Sequence, residues 1–147
     1  PAWIVDIEKS WPLANNIFHY TFCKSTLEHT REPRDVLKEM YRVLKPYGRV
    51  IILVPDWHSQ WKNFYDDVTH QRPFTRKGLT QALKLTGFRD VNCEIFYQLP
   101  FLWKRPWLKW IPWMVSRLPD TTKYRVGKQN KLIRFSKEKM LLATGVK

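Results

Sequence analysis

The spacing of apolar residues changes period several times along this 147-residue chain, and each change marks an element. Ile17–Cys23 (IFHYTFC) is rich in β-formers and predicts a short buried strand. Val36, Leu37, Met40, Val43 and Leu44 then recur at helical spacing and predict a helix over 33–44. Pro33 suits its first position, with Glu32 as a weak cap, Asp35 in the first turn and Lys45 in the last, and Pro46 and Gly48 stop it. Val50–Val54 is apolar at every position, which predicts a central strand covered on both faces and parallel to the first, because a helix between two strands is a crossover. A loop over 55–74 follows. Thr75 caps a helix whose core face is Leu79, Ala82 and Leu83, and Gly87 ends it. Val91, Cys93, Ile95, Tyr97 and Leu99 alternate with polar or solvent-side positions as a strand does. Lys139–Val146 predicts a last strand, and Ile4–Val5 reads as the end of one that runs into Asp6. The order is α/β.

Residues 100–119 break this regularity. Trp103, Trp107, Trp110 and Trp113 lie four, three and three apart, roughly on one helical face, but Pro106 and Pro112 argue against one continuous helix and predict two short ones, each opened by its proline. The stripe is open to three readings: a satellite core, a lid over a substrate, or an anchor at a membrane interface. Residues 120–130 are polar and read as loop.

Hydrophobic residues make up 44% of the chain, which excludes a disordered class, and no apolar run is long enough to span a bilayer. These features, with the lack of a signal-peptide pattern at residues 1–10, set the expectation of a soluble cytoplasmic domain with possible peripheral membrane contact. Cys23 and Cys93 are far apart and form no Cys-x-x-Cys pair, so two reduced thiols are expected. The net charge of +13 is concentrated after residue 100, where Asp120 and Glu138 are the only acids. That basic third suits an anionic membrane, nucleic acid, an anionic substrate or a merely solvated surface.

Residues 6–55 carry a specific pattern. DIEKSWPLANNIF is a strand-end Asp, a polar loop and an aromatic strand start. LEHTREPRDVLKEMYRVLKPYGRVIILVP (Leu27–Pro55) is Leu-Glu-His, an acid-Pro helix start, Glu-x-x-Arg-Val-Leu-Lys-Pro-x-Gly and an apolar strand. DDVTHQRPFT (66–75) and KLTGF (84–88) follow. Together these resemble the class I S-adenosylmethionine-dependent methyltransferases, over residues 4–99. The resemblance implies the C-terminal portion of a Rossmann-like fold, mostly parallel with an antiparallel last strand, treated as one partial domain over 1–147. Residues 100–130 would be a Trp-rich, basic helical cap before the last strand, its tryptophans turned inward. Two departures stand out: Gly48, Gly78, Gly87, Gly127 and Gly145 are too dispersed to form the family's glycine-rich cofactor turn, and the acid that holds the cofactor ribose is missing. His19 also stands where the family has Asp.

The resemblance implies S-adenosylmethionine as cofactor, held by Asp6, Ile7, Cys23, Lys24, Ser25, Leu27 and His29, and bound weakly or not at all by this chain alone. Asp67, His70, Trp103 and Trp107 fall where an acceptor would lie. His70 has the type and ordinary pKa of a general base, with Asp66 and Asp67 beside it. Their spacing matches no metal loop, so no metal is expected. Glu28 reads as a charge near a helix start, and Glu39 with Arg42 as a surface pair. Two function classes result. One is a methyltransferase acting on a small or lipid- or glycan-linked acceptor; the other is a noncatalytic basic module for an anionic membrane or, less favoured, nucleic acid.

Overall fold

The computed structural model describes residues 5–118 and 130–147. Four strands form one sheet: β1 (Phe18–Lys24), β2 (Leu44–Pro55), β3 (Arg89–Phe96) and β4 (Met140–Val146), in the spatial order β1-β2-β4-β3. β1 and β2 are parallel, with Thr21 opposite Val50 and Cys23 opposite Ile52. β4 runs antiparallel to both of its neighbours. The expected parallel crossover and antiparallel last strand are therefore both present. The expected strand end at Ile4–Val5 falls partly outside the described residues, and Val5 lies in no element.

Helix α1 (Pro33–Val43) joins β1 to β2, and α3 (Arg76–Thr86) precedes β3. Thr75 Oγ1 accepts from Gly78 N at 3.1 Å, and Gly87 ends α3 at φ 112°, a left-handed conformation that favours glycine. Both helices pack on the sheet face carrying Val50, Ile52 and Val54, each 0% exposed. Val36, Leu37, Met40, Leu79 and Leu83 fill the space between.

Four expectations need correction. β1 is not buried: Phe18, Tyr20 and Phe22 are 40%, 65% and 64% exposed, because β1 pairs on one side only and these alternate residues share the face opposite α1 and α3. β2 begins at Leu44, directly after the helix. Lys45–Gly48 form an irregularity between the Leu44 and Arg49 pairings, with Tyr47 at φ 63°. β3 ends at Phe96 rather than Leu99. The loop after β2 holds two short turns of helix, α2 (Trp57–Gln60), capped by the side chain of Asp56, and a 3-10 turn at Phe64–Asp66.

Between β3 and β4 the chain forms α4 (Pro100–Lys104), a 3-10 turn (Pro106–Lys109), α5 (Trp110–Val115) and α6 (Lys131–Lys137). Pro106 opens the 3-10 turn, as expected, but Pro100 opens the first helix and Pro112 is the third residue of α5 rather than its first. The expected loop at 120–130 lies, except for Asn130, outside the described residues. Asn130 caps α6, its Oδ1 accepting from Leu132 N at 3.0 Å. The tryptophans are not turned inward: Trp103, Trp107, Trp110 and Trp113 are 59%, 71%, 54% and 47% exposed. The proline-broken turns are too short to press one continuous stripe onto the sheet.

Candidate functional site

β1 ends in a sharp turn. Ser25 takes φ 49°, and a 3-10 turn at Leu27–His29 carries the chain into α1. Leu27 is 0% exposed and its side chain belongs to the core. Thr30 Oγ1 donates to Leu27 O at 2.8 Å and closes the turn.

The loop after β2 folds back onto this turn. Gln71 N and Arg72 N both donate to the Glu28 carbonyl, at 2.7 and 3.0 Å. The Gln71 side chain donates to His29 O and Arg72 Nε to Arg31 O. Segments more than forty residues apart in sequence are thereby locked together, and His29 and His70 meet with ring centroids 4.7 Å apart. His70 also stacks on the buried Phe64 ring at 4.4 Å.

The hydrogen bonds fix the role of Nδ1 in both rings. His70 Nδ1 lies 2.6 Å from the Phe64 carbonyl, which can only accept, so Nδ1 carries a proton and Nε2 is the nitrogen not held by that bond. Thr69 Oγ1 lies 2.5 Å from Asp67 Oδ1 and 2.8 Å from His29 Nδ1. Its single proton goes to the carboxylate, so His29 Nδ1 donates to Thr69 and His29 Nε2 is the nitrogen outside this relay. The Thr69 hydroxyl and amide hold the Asp67 carboxyl below its ordinary range. Glu28 is 1% exposed, burial pushes its carboxyl up, and its Oε2 has no hydrogen-bond partner. Sequence reading brought out His29, His70 and Asp67 but took Glu28 for an ordinary helix-start charge. The return of the distant loop, which clamps the Glu28 carbonyl, is not written in the local sequence.

The remaining candidates lie apart from this corner. Ile7, Cys23 and Lys24 line a groove of about 510 Å³ along the free edge of β1, with Trp11, Tyr20 and Phe22. Burial raises the Cys23 thiol. Asp6 is exposed, and its carboxylate is engaged by Glu8 N at 3.1 Å and Lys9 Nζ at 3.2 Å. Trp103 stacks on Phe96 at 5.7 Å, and Arg117 lies 3.7 Å over the Trp113 ring. A larger cavity, about 780 Å³, opens at the end of β2 among Asp56, His58, Thr75, Arg76 and Lys84. Neither cavity includes His29 or His70. Glu39 and Arg42 do more than pair at a surface: Arg42 also donates to Leu13 O and Asn15 Oδ1, both at 2.6 Å, and to Trp11 O, while Glu39 accepts from Trp11 N. The pair pins the 11–15 loop to α1.

Comparison with known proteins bears on the fold. Residues 3–52 match a family described as "Methyltransferase domain". A 52-residue stretch, 35% of the chain, is 38% identical to demethylmenaquinone methyltransferase of Chlamydia muridarum and spans 23% of that protein. Among solved structures, a Thermotoga maritima S-adenosylmethionine-dependent methyltransferase, described as a possible histamine N-methyltransferase, superposes with a TM-score of 0.61 at 19% identity, over 97% of this chain and 62% of that one. Phosphoethanolamine N-methyltransferase 2 of Haemonchus contortus, solved with phosphomonomethylethanolamine and S-adenosylhomocysteine, gives 0.58 at 19% identity, over 97% and 36%. The chain thus covers less than two thirds of each of these relatives.

Proposed function

We propose that this chain, which carries the class I S-adenosylmethionine-dependent methyltransferase fold, is the acceptor-side, C-terminal portion of such an enzyme, acting on a small or lipid- or glycan-linked acceptor. The observation that carries this reading is the sheet: parallel β1 and β2, then an antiparallel β4 inserted between β2 and β3, with the family pattern written across β1, α1 and β2. Ligands of such sheets sit beyond the carboxyl ends of the parallel strands, where the β1–α1 turn and the loop after β2 meet here. The open β1 edge, with its exposed aromatic face, also suits a sheet that continues past β1.

The described residues do not fit the cofactor on their own. Asp6 is already paired, Leu27 is in the core, and the groove beside Cys23 and Lys24 is an aromatic strand edge without an acid for the ribose. When bound, the cofactor supplies an activated methyl group on sulfur; this chain contributes acceptor positioning and proton handling. Neutral His70, its Nδ1–H donated to Phe64 O, would offer Nε2 to take a proton from an acceptor hydroxyl or amine. Calorimetric titration with S-adenosylhomocysteine tests the partial-site reading. Affinity is expected roughly 100-fold or more weaker than for a longer chain bearing a glycine-rich turn and a ribose acid. Equal affinity of the 147-residue chain refutes it.

A second reading concerns the insert, and the exposure of all four tryptophans favours it. Lys104, Arg105, Lys109 and Arg117 stand among them, and no helix in the described residues is long and apolar enough to cross a membrane. Amphipathic aromatics interleaved with cations suit the interface of an anionic bilayer. Peripheral contact there would bring a lipid-linked acceptor to the enzyme; the noncatalytic alternative is the same contact without chemistry. Sedimentation with phosphatidylserine vesicles is expected to recover the chain together with a blue shift of its Trp emission. Binding without a shift, abolished by moderate salt, assigns the attraction to the basic tail alone.

A further inference from the structure

We propose that Glu28, His29 and His70 form a binding site for a divalent transition-metal ion of the Fe²⁺, Co²⁺ or Zn²⁺ type. One ligand atom from each of the three residues lies within 4.8 Å of the other two. Bonds of about 2.0–2.1 Å from two imidazole nitrogens and one carboxylate oxygen put donors roughly 3 Å apart, so side-chain rotations of about an ångström close the cluster.

Three independent features point to a cation there. Glu28 is 1% exposed and its Oε2 has no partner, a buried carboxylate oxygen awaiting a positive charge or a proton. Both histidines have Nδ1 committed, His70 to the Phe64 carbonyl and His29 to Thr69, which leans on Asp67. Metal-binding histidines are oriented in this way: a carbonyl or a carboxylate relay fixes the tautomer and raises the basicity of the free nitrogen. The backbone is also fixed, since Gln71 N and Arg72 N clamp the Glu28 carbonyl. Asp67 Oδ2, 3.9 Å from His70 Nε2, stands beside the cluster as an exposed further oxygen.

Two nitrogens and one oxygen suit borderline ions better than Ca²⁺ or Mg²⁺, which take oxygen. Three protein donors leave coordination positions open, the pattern of a reactive rather than a purely structural site. With the ion bound, His70 is a ligand, and the proton-accepting role given above belongs to the metal-free chain. The site does not depend on methyl transfer, so its test stands or falls separately from that reading.

The test is Co²⁺ titration of the chelator-stripped 147-residue chain, read by visible d–d absorption and competed with Zn²⁺. Saturable binding at about 10 µM or tighter is expected, with a band that Zn²⁺ displaces. His29→Gln, His70→Gln and Glu28→Gln should each weaken binding at least about tenfold, and Thr69→Val, which keeps every ligand, should weaken it by a smaller factor. His19→Gln and His58→Gln should leave it unchanged. Absence of saturable binding below about 100 µM in a chain with native circular dichroism overturns the site, as does binding that survives all three ligand substitutions. Should the ligand variants fail to fold, Thr69→Val and a Zn²⁺-induced rise in the melting temperature of the unaltered chain decide the matter.

Discussion

The corner built by Glu28, His29 and His70 and the stripe built by Trp103, Trp107, Trp110 and Trp113 depart from ordinary burial in opposite directions. At the corner a carboxylate is 1% exposed, whereas in the stripe the largest apolar side chains are 47–71% exposed. Buried polar groups and exposed apolar patches are the informative exceptions in a folded chain. They also differ in how they are held. The corner joins two distant loops through backbone clamps and a ring stack on Phe64, while the stripe rides on three helical turns of four to six residues. A site that must hold ligand geometry needs the first kind of support; a surface that presses into something soft needs only the second.

The sharpest way to break the contrast is to remove the support under the corner. Phe64 is 1% exposed and carries the His70 ring. Phe64→Ala is expected to cost about 4 kcal/mol in chemical denaturation and to free the His70 ring, visible as a shift of its imidazole resonances. A loss under about 1 kcal/mol means the corner is held by its hydrogen bonds alone.

The two regions were also unequally legible in the sequence. Helix α1 and the Thr75 and Gly87 ends of α3 follow from local periodicity and capping, and the structure places them within a residue or two; the β2 run is a strand as expected, but pairing begins six residues earlier, at Leu44. β1 was misread as buried because its β-forming aromatics promise two covered faces, and exposure depends on which neighbours are present. His29 and His70 carry their residue type openly. Their meeting depends on a loop return that no local pattern encodes, and for that reason Glu28 passed as a helix-start charge. The insert defeats periodicity: its tryptophans keep helical spacing while the backbone beneath them breaks at Arg105 before Pro106, and Pro112 sits inside α5. Helix α6 carries an Asn130 cap signal, but only seven residues of pattern follow it.

A second, smaller effect tests whether the 11–15 loop shares the corner's dependence on long-range clamps. Arg42→Ala removes bonds to Leu13, Asn15, Trp11 and Glu39 and is expected to cost about 2 kcal/mol at neutral pH. Arg42 holds the Glu39 carboxyl below its ordinary range. The stabilisation is therefore present above the unfolded-state pKa, about 4.3, and is lost as pH falls through the lower folded value. Urea unfolding at neutral pH and near pH 3 should show the gap between Arg42→Ala and the unaltered chain shrinking in acid. A constant gap assigns it to packing.

Smaller again is the response to neutralising the corner without emptying it. In chelator-stripped protein Glu28→Gln keeps the volume and removes a buried carboxyl whose Oε2 has no partner. It is expected to stabilise the chain by about 1 kcal/mol. A destabilisation of that size would show that the carboxylate is already compensated in the folded chain.

The smallest effect on stability should come from the stripe, and that smallness is the point. Trp107 is 71% exposed, so its removal uncovers little buried area. Trp107→Ala should change unfolding free energy by less than about 0.5 kcal/mol, the range of surface substitutions. If the aromatic face enters a bilayer interface, the same substitution should lower partitioning onto phosphatidylserine vesicles several-fold, and Trp107→Phe should recover part of it. Trp103 provides an internal comparison, because it stacks on Phe96 and donates its indole N–H to Tyr97 O at 3.2 Å. Trp103→Ala should therefore cost more stability than Trp107→Ala while affecting vesicle binding less. Equal costs for the two, or a Trp107→Ala chain that unfolds readily, would make the stripe part of a packed core and remove the contrast with the corner.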